Sequence, residues 1–191
     1  MIKKIIAIAL VSCSLVACTE KKETVSLDKL AETAQTFVTK IKAFEAKIDP
    51  TNVDTYMQLT DSITVQQTLA DSAIAKLYAT GKDTLFLEFS QVKNLDRIKI
   101  LKVWVVGAKY NELQIEAEVE ALDNSSFKGP YTSATIFDNT GKRMEVGGGI
   151  GGDPETKLEV GKTYKFKGII DNLNLLKNLK KLNFDEDIKK W

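Results

Sequence analysis

Residues 112–122 read Glu-Leu-Gln-Ile-Glu-Ala-Glu-Val-Glu-Ala-Leu, polar and apolar side chains alternating without a break as far as Ala121. A period of two places Leu113, Ile115, Ala117, Val119 and Ala121 on one face of a strand. Gln114, Glu116, Glu118 and Glu120 fall on the other, as in an antiparallel sheet with one buried and one wet face. Upstream, Leu85, Leu87 and Phe89 alternate in the same way. The pair Ile98 and Ile100 then changes phase to Val103 and Val105, which predicts a bulge near Leu101-Lys102. Downstream, strands are expected at Tyr131 to Asp138, Arg143 to Val146, Lys157 to Val160, Thr163 to Ile170 and Lys181 to Phe184. Asn139-Thr140-Gly141 and Val160-Gly161-Lys162 punctuate them as turns. The leucine-dense stretch Leu173, Leu175, Leu176, Leu179 reads as one or two helical turns over an open end of the sheets. Seven or so short strands at this spacing predict a β-sandwich.

Before Lys82 the period is that of a helix. Leu27, Leu30, Ala31, Ala34, Phe37, Val38, Ile41, Phe44 and Ile48 form one stripe from about Ser26 to Ile48. Asp49-Pro50 reads as a cap followed by the first residue of a second helix. That helix runs to Thr80, and Thr60-Asp61-Ser62 is either a break or a continuous stretch of weak formers. Gly81 suits a left-handed position after the last turn. The expected architecture is α+β, a helical hairpin over 26–82 followed by a β-sandwich over 83–191.

The amino-terminal segment carries different information. Lys3 and Lys4 precede an apolar run, Ile5 to Val16, that ends in Leu15-Val16-Ala17-Cys18. The pattern is that of a signal peptide, and its ending resembles the lipobox of bacterial lipoproteins. The resemblance implies cleavage after residue 17, lipidation of Cys18, and a short tether over 18–25. Two or three acyl chains exceed the two-signal requirement for stable anchoring, so a membrane is the first expected partner. Thr19 in place of Asp favours, within that family, delivery to the outer membrane or cell surface. With Cys13 removed and Cys18 acylated, no thiol is left for a disulfide, a nucleophile or zinc.

Composition narrows the function classes. The 191 residues hold 27 Lys+Arg, 26 Asp+Glu and no His. Losing Lys3 and Lys4 takes the basic count to 25 against 26, a balance that removes the bulk attraction nucleic-acid binding needs. Without His the usual base near neutral pH and the commonest metal ligand are missing. No cofactor or metal is implied.

Residues 83–185 resemble the immunoglobulin-like domains of small bacterial lipoproteins. The resemblance rests on the hairpin partner Glu112 to Leu122 leading into Asp123-Asn124, the tyrosine strand ending Asp138-Asn139-Thr140-Gly141, and Leu158-Glu159-Val160-Gly161-Lys162 before Tyr164-Lys165-Phe166. It implies an antiparallel sandwich and supplies no catalytic residues. The chain departs from antibody-type domains in having no Cys pair between sheets, and Trp104 is expected to fill that central place.

Three features invite a chemical reading. Gly147-Gly148-Gly149-Ile150-Gly151-Gly152-Asp153 fits a dinucleotide fingerprint by spacing, but Asp153-Pro154-Glu155 leads into a strand rather than a helix. One copy of a calcium nonapeptide is no repeat. The run reads as a mobile hairpin tip or a bulge needing positive φ, or as a loop that adapts to a partner, with Gly148, Gly149, Gly151 and Asp153 as candidate binding residues. Glu116, Glu118 and Glu120 stand about 7 Å apart on one face, within the separation of roughly 6.5–9.5 Å used by inverting glycosidases. Lys99, Lys102, Lys165 and Lys167 are expected opposite them as ion pairs. Trp104, Tyr131, Phe137, Tyr164 and Phe166 read as core. No nucleophile signature surrounds any Ser, Thr, Lys or Asp. The expectation is a non-enzymatic envelope module that binds or scaffolds a protein, peptide or glycan. The alternatives are a carboxylate-based glycan hydrolase and an accessory subunit docking through the helical hairpin, which an exposed apolar stripe on the helices would mark.

Overall fold

Ser26 starts the first helix: its backbone is extended, and its Oγ accepts a hydrogen bond from the Lys29 N–H at 3.2 Å. The computed structural model describes residues 25–81, 83–91, 97–124 and 129–184. The signal segment, Cys18, all of the tether but Val25, and Trp191 lie outside the described residues. Helix α1 spans Leu27–Glu45 and buries Leu27, Leu30, Ala31, Ala34, Val38 and Ile41, the stripe its sequence predicts. Helix α2 spans Val53–Thr80 and is unbroken through Thr60-Asp61-Ser62. The hydroxyls of Thr60, Ser62, Thr64 and Thr68 each donate to the carbonyl four residues back, at 2.8–3.0 Å, so these weak formers need no break.

Two helix-end expectations are corrected. The cap of α2 is Asn52, whose Oδ1 accepts from the Thr55 N–H at 3.1 Å. Asp49 instead closes the preceding turn, accepting from the Thr51 N–H and hydroxyl at 2.9 and 2.6 Å, so the helix starts three residues later than the Asp49-Pro50 reading. Gly81 has φ −68° and ψ 130°, not a left-handed conformation. It is needed for space, because a Cβ there would lie 3.1 Å from Val25 Cβ and 3.2 Å from the Tyr78 carbonyl oxygen.

The strands are β1 (Phe89–Gln91), β2 (Ile98–Lys109), β3 (Glu112–Ala121), β4 (Tyr131–Asp138), β5 (Gly148–Gly151), β6 (Thr163–Asp171) and β7 (Leu179–Phe184). They form one sheet in the order β1-β7-β4-β5-β6-β3-β2. The pair β1–β7 is parallel and the others are antiparallel. The α+β class stands. The sheet, however, is mixed and curled where an antiparallel two-sheet sandwich was expected.

The cause of the curl is the segment 85–91, which serves both edges. Its first part meets β2, with the Leu87 N–H donating to Val103 O at 3.0 Å and the Val105 N–H to Leu85 O at 2.9 Å. Its last part lies along β7 with Phe89 opposite Leu182. The Gln91 side chain adds a clasp, donating to Ile98 O at 2.6 Å and accepting from the Ile100 N–H at 2.9 Å.

The phase change near Leu101 is a register shift between Ile100 and Lys102, as predicted, and a second shift lies between Val105 and Gly107. Residues 143–146 and 157–160 are not strands: Arg143 makes a single bridge to Phe137, and Leu158 is buried from an irregular segment. Leu173–Leu175 is a 3-10 turn, and Leu173 and Leu176 are fully buried. Trp104 does not fill the centre. Phe166 and Phe184 do, with Ile98, Leu113, Ile115, Ile136, Ile150 and Ile170, because Trp104 alternates outward from Val103 and Val105.

Helices and sheet share one buried cluster. Leu30 and Ala34 of α1 and Ile74 of α2 join the strand residues, and α1 packs on the 3-10 turn. Polar clasps fix the docking: the Tyr110 N–H donates to Asp71 Oδ1 at 2.7 Å, the Tyr78 hydroxyl to Val105 O at 2.8 Å, and the Asn178 N–H to Asp28 Oδ1 at 2.8 Å.

The tightest approach in the sheet is between β5 and β6, where a Cβ on Gly168 would overlap the Gly149 carbonyl oxygen and come within 2.8 Å of its carbon. Backbone cannot yield as a side chain does. Gly168→Ala is expected to cost about 3 kcal/mol, the upper end for overpacking. A lower urea midpoint at unchanged slope is the check.

Candidate functional site

The glycine run lies inside the sheet. Gly148–Gly151 is β5, paired with β4 on one side and β6 on the other, so the expected hairpin tip is corrected to an interior strand. None of these glycines has a positive φ; those that do are Gly129, Gly141 and Gly161. Their small size is what the structure uses. A Cβ on Gly149 would strike the Tyr131 hydroxyl and lie 2.6 Å from its Cζ, and one on Gly151 would lie 3.2 Å from its Cδ2. The Tyr131 ring therefore rests along the bare backbone of β5.

Register sets the surroundings. Trp104, Glu116, Lys167, Gly151 and Tyr131 are successive cross-strand partners from β2 to β4, and directly opposed residues share a face. One row therefore carries two aromatic rings, an acid, a base and a gap across the outer face of five strands. The next outer row is Gly107, Gln114, Ile169, Gly149 and Ser133. Between these rows lies an open cleft of about 550 Å3, lined by Val106, Gln114, Glu116, Tyr131, Gly148, Gly149, Lys167, Ile169 and Asp171 among others.

Gln114 is held in place. Its Nε2 donates to Glu112 Oε1 at 2.8 Å, and the same oxygen lies 3.3 Å from Lys109 Nζ. Its side chain lies over Gly107, where a Cβ would come within 3.4 Å of its Cδ. The Gln114 hydrogen bond, chiefly, and Lys109 hold the Glu112 carboxyl below its usual range against a smaller opposing push from burial.

Of the four candidate binding residues, Gly148 and Gly149 line the cleft and Gly151 supports the Tyr131 ring. Asp153 lies outside, in the turn where its carbonyl accepts from the Thr156 N–H at 2.8 Å. The glutamate row divides. Glu118 and Glu120 meet Lys102 and Lys99, each at 3.8 Å, as the cross-strand reading expected, while Glu116 faces the cleft. The other acid there, Asp171, is four residues along the ladder from Glu116's partner Lys167, about 13 Å of backbone. That is beyond the spacing of a hydrolytic carboxylate pair.

The aromatic residues also divide: Phe166 is buried, whereas Trp104, Tyr131, Phe137 and Tyr164 are half-buried. Lys165 Nζ stands 6.0 Å from the Trp104 ring centroid. Reading Tyr131 as core misses its place on the outer face, because the pairing that lays its ring over Gly149 and Gly151 is not visible in the local sequence.

Among the described residues no group of three or more Asp, Glu, Cys or His is placed to hold a metal ion, and no helix is long and apolar enough to cross a membrane. No family model matches the chain, and neither does any curated protein or solved structure.

Carboxyls held below their usual range stabilise the fold above the unfolded-state value, and that contribution is lost as pH falls through the lower folded value. Glu112 is one. Asp138 is another, held down chiefly by the Thr140 hydroxyl and also by the Lys142 N–H. The urea midpoint is expected to drop on acidification below about pH 4. Gln114→Leu, lacking the Glu112 bond, should show a shallower drop.

Proposed function

We propose that this protein is a lipid-anchored component of the bacterial cell envelope, attached through Cys18 and acting as a non-catalytic binding or scaffolding module through the outer-face cleft. The observation that carries the binding reading is the Tyr131 ring laid over Gly149 and Gly151 beside Gln114, Glu116 and Lys167. Such a surface offers one aromatic platform and several fixed polar groups, the pattern of a recognition site. The anchoring reading is supported by the Leu15-Val16-Ala17-Cys18 sequence and by a first helix that begins nine residues after Cys18. Delivery to the outer membrane or cell surface is part of the proposal.

An immunoglobulin-like kinship is likewise proposed. It is supported by β4 dividing its partners, residues 131–133 with β5 and 134–138 with β7, as a strand between two layers does. A hydrolase gains less support, since Glu118 and Glu120 face lysines and Glu116 stands alone.

Docking through the hairpin is a second reading with its own observation. On α2, Val53, Met57, Val65 and Leu69 are 66%, 60%, 55% and 50% exposed. Leu69→Lys combined with Val65→Lys should leave the unfolding free energy from urea titration within about 0.5 kcal/mol of the parent. If α2 docks, the double variant loses its membrane-protein cross-links; unchanged cross-links count against hairpin docking.

For the leading reading, mass spectrometry of the amino-terminal peptide should find an acylated Cys18, and Cys18→Ser should leave the membrane fraction. A photo-cross-linker at Lys167 should capture a discrete partner that one at Lys142 does not. An unmodified amino terminus in the soluble fraction overturns the anchor, and equal background from both positions overturns the cleft.

A further inference from the structure

The outer face of β2, β3 and β6 carries acids and bases in opposed rows, and most are paired. Glu120 meets Lys99, Glu118 meets Lys102 and Glu112 meets Lys109. The row between them differs. Glu116 and Lys167 face each other in register, yet among the described residues neither head group is within ion-pair or hydrogen-bond distance of a partner, and both line the cleft. Asp171, at the cleft's far end, is in the same condition. Three charged head groups thus stand unengaged around a held amide, Gln114, and an aromatic platform, Tyr131.

What such a surface can hold depends on what it offers. An extended peptide binds a sheet by adding a strand, and needs a free row of backbone N–H and C=O groups. The cleft has none to give: β3, β5 and β6 are each paired on both sides, and the two edges of the sheet are drawn together by residues 85–91. An amphipathic helix needs a mainly apolar groove, whereas this lining alternates Val106 and Ile169 with Gln114, Glu116, Lys167 and Asp171. A strongly charged polymer would meet both signs at close range. Side-chain hydrogen-bonding groups set around a flat ring suit a ligand with many hydroxyls and an apolar C–H face.

Resting on the reading of the cleft as a binding site, we propose that its ligand is a neutral oligosaccharide. One sugar ring stacks on Tyr131, and Gln114, Glu116 and Lys167 hydrogen-bond the hydroxyls. Asp171 serves a neighbouring unit toward the open end. Trp104, in the same row about 19 Å from Tyr131 along the sheet, stands beyond the lining of the cleft as a second ring that further units reach, so the ligand is a chain rather than a monosaccharide.

The test uses the full-length protein purified from membranes in detergent, an array of neutral glycans, and titration calorimetry with chitotetraose, cellotetraose and maltotetraose. Saturable binding to a neutral glycan is expected. Tyr131→Ala should weaken it by about tenfold or more, a change of about 1.4 kcal/mol, and Tyr131→Phe should leave it nearly unchanged. Lys167→Ala, at an exposed position outside the core, should weaken binding without altering the urea midpoint. That keeps the test decisive should Tyr131→Ala unfold. Glycan binding indifferent to Tyr131→Ala and Lys167→Ala overturns this site. Absence of glycan binding, with a discrete protein cross-linked from Lys167, overturns the glycan while the cleft reading stands. Absence of both overturns the two together.

Discussion

Residues 85–91 pair with strands that lie at opposite ends of the sheet, and the shape of the molecule follows from that double duty. Leu85 and Leu87 bond to β2, and Phe89–Gln91 runs along β7. A single extended segment cannot satisfy both unless the seven strands curl until their edges meet. Curling gives the sheet an inside, filled by Phe166, Phe184 and the isoleucines, and an outside that carries the charged rows. It also leaves an open end, which the 3-10 turn and the two helices cover. Exposed sheet edges invite pairing with other chains. Here the two edges engage one connector, and the Gln91 side chain fastens the place where its backbone leaves β2.

The same curl sorts the charges. On the inner face the rows are apolar apart from the buried Thr132 of β4, while on the outer face acids and lysines meet across β2, β3 and β6. Exposed pairs of this kind contribute only about 0–1 kcal/mol each, so their regularity says more about keeping the surface soluble than about holding the strands. The row through Glu116 departs from that regularity. The departure coincides with the glycines that thin the neighbouring strand and the tyrosine that lies on them.

Legibility from sequence followed side-chain contrast. The strand 112–121 and the phase change at Leu101 were readable because their residues alternate. The stripe of α1 was readable for the same reason at a period near 3.6. Strand β5 was not: four residues with a single side chain among them show no period, and glycine is a poor strand former, so the segment looked like a turn. The α2 cap was misjudged because Asp49 and Asn52 are both good caps three residues apart, and both are in fact satisfied, one in the turn and one at the helix. The resemblance to immunoglobulin-like domains puts Trp104 at the centre, although the alternation that puts Val103 and Val105 inside sends it out. The closure by residues 85–91 depends on partners such as Asn183, which bonds Ser90 across 93 positions, and no local pattern announces it. At the candidate site, the acidic half of the lining was visible as the wet face of β3. The cleft itself was not, since it exists only where β5 brings its bare backbone beneath Tyr131.

Val25 enters the fold against Gly81, at the end of α2. The two ends of the helical pair are thereby brought together beside the strand β2, on which the Tyr78 hydroxyl is fastened. Because Leu30, Ala34 and Ile74 belong to the same buried cluster as the strand residues, and the Asp28 carboxylate accepts from Asn178 just before β7, neither helix can be peeled away without uncovering the interior of the sheet. Helices and sheet therefore share load and solvent exclusion as one unit.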